Sequence, residues 1–324
     1  MSPGLENLHT EDRQRLLGAP APARASLMQA VLSREPFSHP EWIFERKLDG
    51  IRCLAIRSGE AIRMLSRNNL DLGARYPELR SALAAQHRHR FTVDGEIVAF
   101  DGAKTSFERL AQRGRRRVPV FFYVFDLLWL DGYDVRALGL RTRKRLLRST
   151  LTYGQHLRFT PHRNRDGETM FAQACHKGWE GVVAKRADSP YRDARSRDWL
   201  KFKCEAGQEL VIGGYTAPRG SRIEFGALLM GYFEGGELRY AGKVGTGFDH
   251  ATLCALGARL RALQRATPPF ADGSSIREPR ASWVEPELVA EIGFTEWTRQ
   301  GRLRHPRFLG LRDDKPAAKV VREQ

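Results

Sequence analysis

Glu45-Arg46-Lys47-Leu48-Asp49-Gly50-Ile51-Arg52 is the stretch on which the reading of this chain turns. A lysine stands between two apolar runs, two residues ahead of an Asp-Gly pair. Apolar residues are dense from Trp42 to Arg57 and bracket Asp49-Gly50, a pattern that predicts a β-hairpin with the lysine at a strand end. An amine displayed there is how an enzyme presents a nucleophile to a phosphate. The octet alone is equally that of a surface hairpin with an ordinary charged strand. Segments farther along the chain decide between the two.

The 324 residues, 41% hydrophobic and 28% charged, suffice to bury a sizeable core in one large domain or two medium ones. Lysine and arginine outnumber aspartate and glutamate by 54 to 38, a net charge of +16. An excess of this size points to a polyanionic partner. Nucleic acid is favoured over a membrane surface, because no basic amphipathic helix and no bilayer-length apolar run supports the latter. Residues 1–24 carry Glu6, Glu11 and Asp12 and lack the apolar segment of a secretory signal, so a cytoplasmic, nucleoid-associated protein is expected. Cysteines 53, 175, 204 and 254 lie outside metal-finger spacing and read as small core residues in a reducing compartment.

Residues 1–25 read as a Pro/Ala/Arg-rich extension, extended or only locally helical. Helical spacing appears over 75–86, 107–114, 141–149 and 168–177. A first strand, Asp-Gly-Glu and a second strand are expected across 91–101. Val118 to Leu130 is almost wholly apolar, as in a strand buried on both faces, and Arg115–Arg117 forms a basic loop before it. Near Glu205 the texture changes to short strands punctuated by glycines, with one helix capped by Asp249. That pattern fits a small barrel such as the OB-fold. The expected division is 26–206 and 207–324. Gly245-Thr246-Gly247 reads as a barrel turn touching a nucleic-acid backbone, not a phosphate loop, because no βαβ context surrounds it.

Five further segments come after Lys47 in order: Ser66-Arg67-Asn68, Val93-Asp94-Gly95-Glu96, Tyr123-Val124-Phe125-Asp126, Glu180-Gly181-Val182-Val183-Ala184-Lys185 and Trp199-Leu200-Lys201-Phe202-Lys203. The series resembles the ordered motifs of the covalent nucleotidyltransferases: ATP-dependent DNA ligases, RNA ligases and capping enzymes. Arg304 to Lys315, ending Arg312-Asp313-Asp314-Lys315, is similar to the last motif of bacterial ATP-dependent DNA ligases of the LigD type. So are Pro40 to Glu45 and Gly242 to Phe248, and the resemblance runs from about residue 26 to the end. It implies an α+β fold: a nucleotidyltransferase domain (ATP-grasp-like, for adenylation) of antiparallel sheets with flanking helices, then a C-terminal OB-fold β-barrel. Fused polymerase and phosphoesterase modules of such ligases have no room here, so a stand-alone ligase core or an excised domain is expected.

The same resemblance implies the chemistry. Lys47 takes AMP from ATP, passes it to a DNA 5′-phosphate, and a 3′-hydroxyl then displaces it. A free lysine has a pKa of about 10.4 and must lose its proton to attack; Arg52, Lys201, Lys203 and a metal would supply the positive charge that favours this. Glu96 and Glu180 are the candidate ligands of Mg²⁺ or Mn²⁺, or ribose contacts. Phe125 would stack on adenine, and Glu45 would accept from the adenine amino group. Arg67 and Arg195 would reach the ribose or the 5′-phosphate. Arg312 and Lys315 would reach the β- and γ-phosphates when the barrel closes. Asp49 holds the turn, Gly50 its backbone conformation, and Trp199 packs.

The implied partner is nicked double-stranded DNA bound by a monomer, with Ku and end-processing enzymes as further partners. A preference for a 3′ ribonucleotide at the nick is suggested too. An RNA ligase or guanylyltransferase of the same superfamily is the alternative enzyme. A basic DNA-end-binding protein without catalysis is the alternative outside enzymes, and it predicts a broken nucleotide motif.

Overall fold

A computed structural model describes residues 3–323 except 34, 115–116, 205, 219, 221, 274–275 and 279. Two of the three arginines of the expected basic loop, Arg115 and Arg116, lie outside the described residues. The fold is α+β, and the chain divides after Cys204 into two compact units.

The first unit is built on two sheets, and the decisive octet joins them. The strand Trp42–Lys47 belongs to a five-stranded sheet, flanked by His162–Asn164 on one side and Gly181–Arg186 on the other. The strand Ile51–Ser58 belongs to a seven-stranded sheet, between Ala61–Ser66 and Arg90–Val98. The expected hairpin at Asp49-Gly50 is therefore a crossover between sheets. Its reason is space: a Cβ at Gly50 would lie 2.2 Å from Ile97 O and 2.9 Å from the Val98 side chain. The glycine lets the chain pass against the Arg90–Val98 strand at the point where the two sheets part. Asp49 anchors the crossover. Its Oδ2 accepts from Phe107 N at 2.8 Å, and its N–H donates to Thr105 Oγ1 at 3.1 Å. Gly50→Ala should cost about 1–3 kcal/mol, the usual cost of overpacking, read as a lower urea midpoint. An unchanged midpoint would mean that the crossover has slack.

Helices close the outer faces. The core behind the seven-stranded sheet holds Ile51, Cys53, Val93, Ile97, Phe122 and Val124 against Leu79 and Leu83 of the helix Pro77–Ala84 and Leu146 and Leu147 of the helix Leu140–Thr150. Behind the five-stranded sheet, Phe44, Val182, Ala184 and Phe202 meet Met170 and Ala174 of the helix Gly167–His176. Between the sheets, Leu54, Ile56 and Phe125 pack with Trp199 and Met28.

Several expectations are revised. Asp94-Gly95-Glu96 does not separate two strands: Arg90–Val98 is one strand, irregular at Asp94/Gly95 where it pairs with Phe121–Leu130. The first residues are not an appendage, since Leu5 and Leu8 are buried in the main core and Leu17–Gly18 pairs with Tyr133–Asp134. The reading of four reduced core cysteines fails for three of them. Cys175 and Cys204 form a disulfide with Cα atoms 5.2 Å apart, Cys254 is exposed, and Cys53 alone is a buried free thiol. The fold brings the end of the helix Gly167–His176 beside the end of the strand Arg195–Lys203, a proximity that a 29-residue separation does not announce.

The second unit is an OB-fold barrel. Its long strand Ala206–Thr216 pairs with Leu228–Glu234 on one edge and with Val289–Phe294 and Ala281–Val284 on the other. Leu228–Glu234 continues to Glu237–Val244, and Val289–Phe294 to Arg307–Leu311. Phe308 N donates to Thr246 O at 3.0 Å and joins the two ends. Gly245-Thr246-Gly247 thus lies where the barrel closes. The helix His250–Ala262 starts at Asp249, whose side chain accepts from Thr252 N at 2.7 Å, and buries Leu253, Leu256 and Leu260. Among the described residues no helix is long and apolar enough to cross a membrane.

Candidate active site

Side chains alternate along a strand, so Glu45 and Lys47 share one face of the five-stranded sheet. Gly181 and Val183 stand in register with Lys47 and Glu45, and Lys203 and Lys201 with Gly181 and Val183 in turn. Lys47, Lys201 and Lys203 are therefore displayed on one face of three adjacent strands. Gly181 has φ +149°, and a Cβ there would collide with Phe202 O, so a bare backbone separates the lysines. Glu180, just before it, receives a hydrogen bond from Lys47 Nζ at Oε1. Its Oε2 is buried and has no hydrogen-bond partner among the described residues.

Glu45 sits deeper. Its Oε1 accepts from Lys144, and its Oε2 lies 2.6 Å from Lys185 Nζ. The three side chains are 2–3% exposed. Burial pushes the Glu45 carboxyl up, but Lys144 and then Lys185 outweigh it and hold it below the ordinary carboxylate range. Burial pulls the Lys185 ammonium below the ordinary lysine range; Glu45 opposes this and Lys144 adds to it.

The facing sheet contributes Arg52, Glu96 and Phe125. Arg52 is committed to Asp94 through Nε and Nη2, both at 2.6 Å, and Tyr191 Oη donates to the same carboxylate at 2.7 Å. Burial works against the Arg52 charge, but Asp94 prevails and holds its pKa above the ordinary arginine value. Glu96 stands in register with Arg52 and with Tyr123. The Phe125 ring lies 4.7 Å from the Arg52 guanidinium and 4.1 Å from Lys185 Nζ. Cations thus flank the ring expected to stack on adenine. Next to it, Asp126 is fully buried against Arg143, with Nε–Oδ1 2.8 Å and Nη2–Oδ2 3.0 Å.

Arg67 comes directly after the strand Ala61–Ser66. Arg195 is exposed and donates to Ala30 O at 3.3 Å. Arg312 and Lys315 lie in the barrel unit. There Arg312 holds Asp314 at 2.8 Å and Glu291 at 3.3 Å, while Lys315 donates to Glu209 at 3.0 Å. Glu209 and Glu291 stand opposite each other on neighbouring strands, where like charges repel, and these two cations resolve the conflict. Burial lowers the Arg312 pKa, yet Asp314, Glu209 and Glu291 together hold it well above the ordinary value.

Residues 21–203 match the family described as ATP dependent DNA ligase domain, and residues 221–315 match the ATP dependent DNA ligase C terminal region. The chain belongs to the ATP-dependent DNA ligases. The multifunctional non-homologous end joining protein LigD of Pseudomonas aeruginosa is 40% identical over 293 residues, which are 88% of this chain and 35% of that protein. LigD of Mycobacterium tuberculosis is 40% identical over 287 residues, 87% of this chain and 38% of that protein. The chain thus spans a little over a third of the length of these LigD relatives. A solved structure of mycobacterial DNA ligase D complexed with ATP and MES is 36% identical, covers 92% of this chain and 98% of that chain, and superposes with a TM-score of 0.68.

Within this ligase fold, sequence reasoning missed Lys144 and Tyr191, and it gave Asp94 and Lys185 no role. One signal was present for Lys144. In the helix Leu140–Thr150, Leu140, Lys144 and Leu147 fall on the stripe that a helix buries. A lysine at such a position asks for an acidic partner.

A divalent cation fits the donors present. Mg²⁺ and Mn²⁺ favour hard oxygen ligands, and Glu180 Oε2 is a buried carboxylate oxygen without a protein donor, on the side chain that holds Lys47. Among the described residues no group of three or more His, Cys, Asp or Glu side chains converges. Substrate phosphates and water would complete the shell, as is usual for Mg²⁺.

Proposed function

We propose that the chain seals nicks in duplex DNA at the cost of ATP, with Lys47 as nucleophile. Lys47 Nζ, once deprotonated, attacks the α-phosphorus. The nitrogen–phosphorus bond forms as the bond to the bridging oxygen of pyrophosphate breaks. The 5′-phosphate of a nick then attacks the phosphoramidate, taking AMP and returning Lys47. Finally the 3′-hydroxyl attacks that 5′-phosphate, the phosphodiester forms, and AMP leaves.

The single observation that carries this is the pairing of Lys47 with Glu180 on a face that also displays Lys201 and Lys203. An ammonium that donates to a carboxylate has no lone pair to offer, so Glu180 holds the amine in place until the proton leaves. Lys201 and Lys203 would bind phosphate oxygens on the same face, and Glu45 and Phe125 would meet the base. Glu180 and Glu96 would hold Mg²⁺ or Mn²⁺, which neutralises phosphate charge when bound.

The relatives' name supports a place in DNA end joining; there Ku and end-processing enzymes would be the partners and the cytoplasm the location. The direct test is a nicked duplex labelled at its 5′-phosphate. Sealing with ATP and Mg²⁺ or Mn²⁺, and none with NAD, is expected; sealing with NAD alone would overturn the reading.

Duplex binding should be dominated by phosphate contacts. With a net charge of +16, affinity for nicked DNA should fall by about 10³-fold or more between roughly 50 and 200 mM salt, and change little with sequence. Filter binding across a salt series measures this. A flat series would contradict a phosphate-based footprint.

A further inference from the structure

The helix Leu140–Thr150 buries Leu140, Arg143, Lys144, Leu146, Leu147 and Thr150. Two of these six positions hold cations, on a face where leucine would avoid the cost of desolvating a charge. Arg143 is accounted for by Asp126. Lys144 has a different set of partners. Its Nζ donates to Glu45, to Thr160 O at 3.1 Å and to Phe125 O at 3.5 Å.

A lysine has three donors, and these are three acceptors on three separate segments. Glu45 lies in the five-stranded sheet and Phe125 in the seven-stranded sheet. Thr160 comes just after the strand Leu157–Phe159. The ammonium is thus a junction between the sheets at the two residues assigned to the base. With its donors engaged and 2% of its side chain exposed, Lys144 acts through its neighbours and not on a ligand.

Resting on the ATP reading above, we propose that Lys144 is a positioning residue that sets selectivity for the nucleotide base. It fixes the Glu45 carboxylate relative to the main chain at Phe125, so that the purine meets one defined edge geometry. An apolar side chain would fill the same helix position but would leave the buried Glu45 carboxylate to Lys185 and untie it from Phe125 and Thr160.

Two variants separate positioning from folding. Lys144→Arg keeps a charge for Glu45, but its longer planar head cannot make the same three-way junction. Lys144→Met removes the charge. Rates of covalent labelling are measured for both and for the parent over a range of ATP and GTP concentrations, with melting checked. For Lys144→Arg the expected result is a melting point close to the parent's and a KM for ATP raised about tenfold. Its kcat should stay within about threefold, and the preference for ATP over GTP should fall by about tenfold. Lys144→Met should move further in the same direction. If Lys144→Arg keeps the parent's KM and preference, the inference is overturned while the ATP reading stands. If it lowers kcat for both nucleotides alike with KM unchanged, the role is structural and the inference is likewise overturned. A parent protein that takes no label from ATP would overturn the ATP reading, and this inference with it.

Discussion

Lys47→Ala protein incubated with ATP and Mg²⁺ should take up no covalent AMP and seal no nick, while its melting point should stay within about 2 °C of the parent's. The loss is complete because no other chemistry replaces an amine at this strand end. The fold survives because Lys47 and Glu180 are partly exposed, at 19% and 25%, and a pair that water can reach contributes little to stability. Lys47→Arg should be equally inactive, since a guanidinium stays protonated and cannot attack. Sealing of a nick that already carries 5′-AMP should persist in Lys47→Ala, because that step no longer needs the lysine as carrier. Covalent label on Lys47→Ala would refute the assignment.

Glu45→Gln should destabilise the first unit by about 3–5 kcal/mol at neutral pH, the cost of stripping the partner from a buried charge. Here one carboxylate serves two ammonium groups, Lys144 and Lys185. The effect should depend on pH in a defined way. Because Glu45 titrates below its ordinary value, its contribution is fully present above the unfolded carboxyl pKa of about 4.3 and is lost as pH falls through the lowered value. The gap between parent and variant therefore closes in acid. It should also narrow in alkali, because burial already pulls the Lys185 ammonium below the ordinary lysine range and, without Glu45, it sheds its proton. Urea midpoints at about pH 2.5, 7 and 9.5 sample these regimes. A gap of constant size would mean that the charge of Glu45 is not what holds this junction.

What the sequence made legible, and what it hid, has a physical pattern. Residues whose role depends on a local strand or turn could be placed: Lys47 near its strand end, Asp249 as a helix cap, and the short glycine-punctuated strands as a barrel. Residues whose role depends on a partner far along the chain could not. Glu45 reads in the sequence as a contact for adenine alone, because its partners Lys144 and Lys185 are 99 and 140 positions away. Arg52 reads as charge beside Lys47, whereas Asp94 on the neighbouring strand claims it. The Asp-Gly pair suggests a hairpin because that dipeptide is a turn signal at short range. Only the strand packed over Gly50 shows that the chain is crossing between sheets. The Cys175–Cys204 bond is hidden for the same reason.

Passage of AMP through Lys47 can be read out by peptide mapping. The parent protein is incubated with ATP and Mg²⁺, quenched, digested and analysed by mass spectrometry. AMP is expected on the peptide that contains Lys47 and on no other lysine, with the label lost on adding a nicked duplex. AMP on Lys185, Lys201 or Lys203, or no adduct on any lysine while ATP-dependent sealing proceeds, would contradict it.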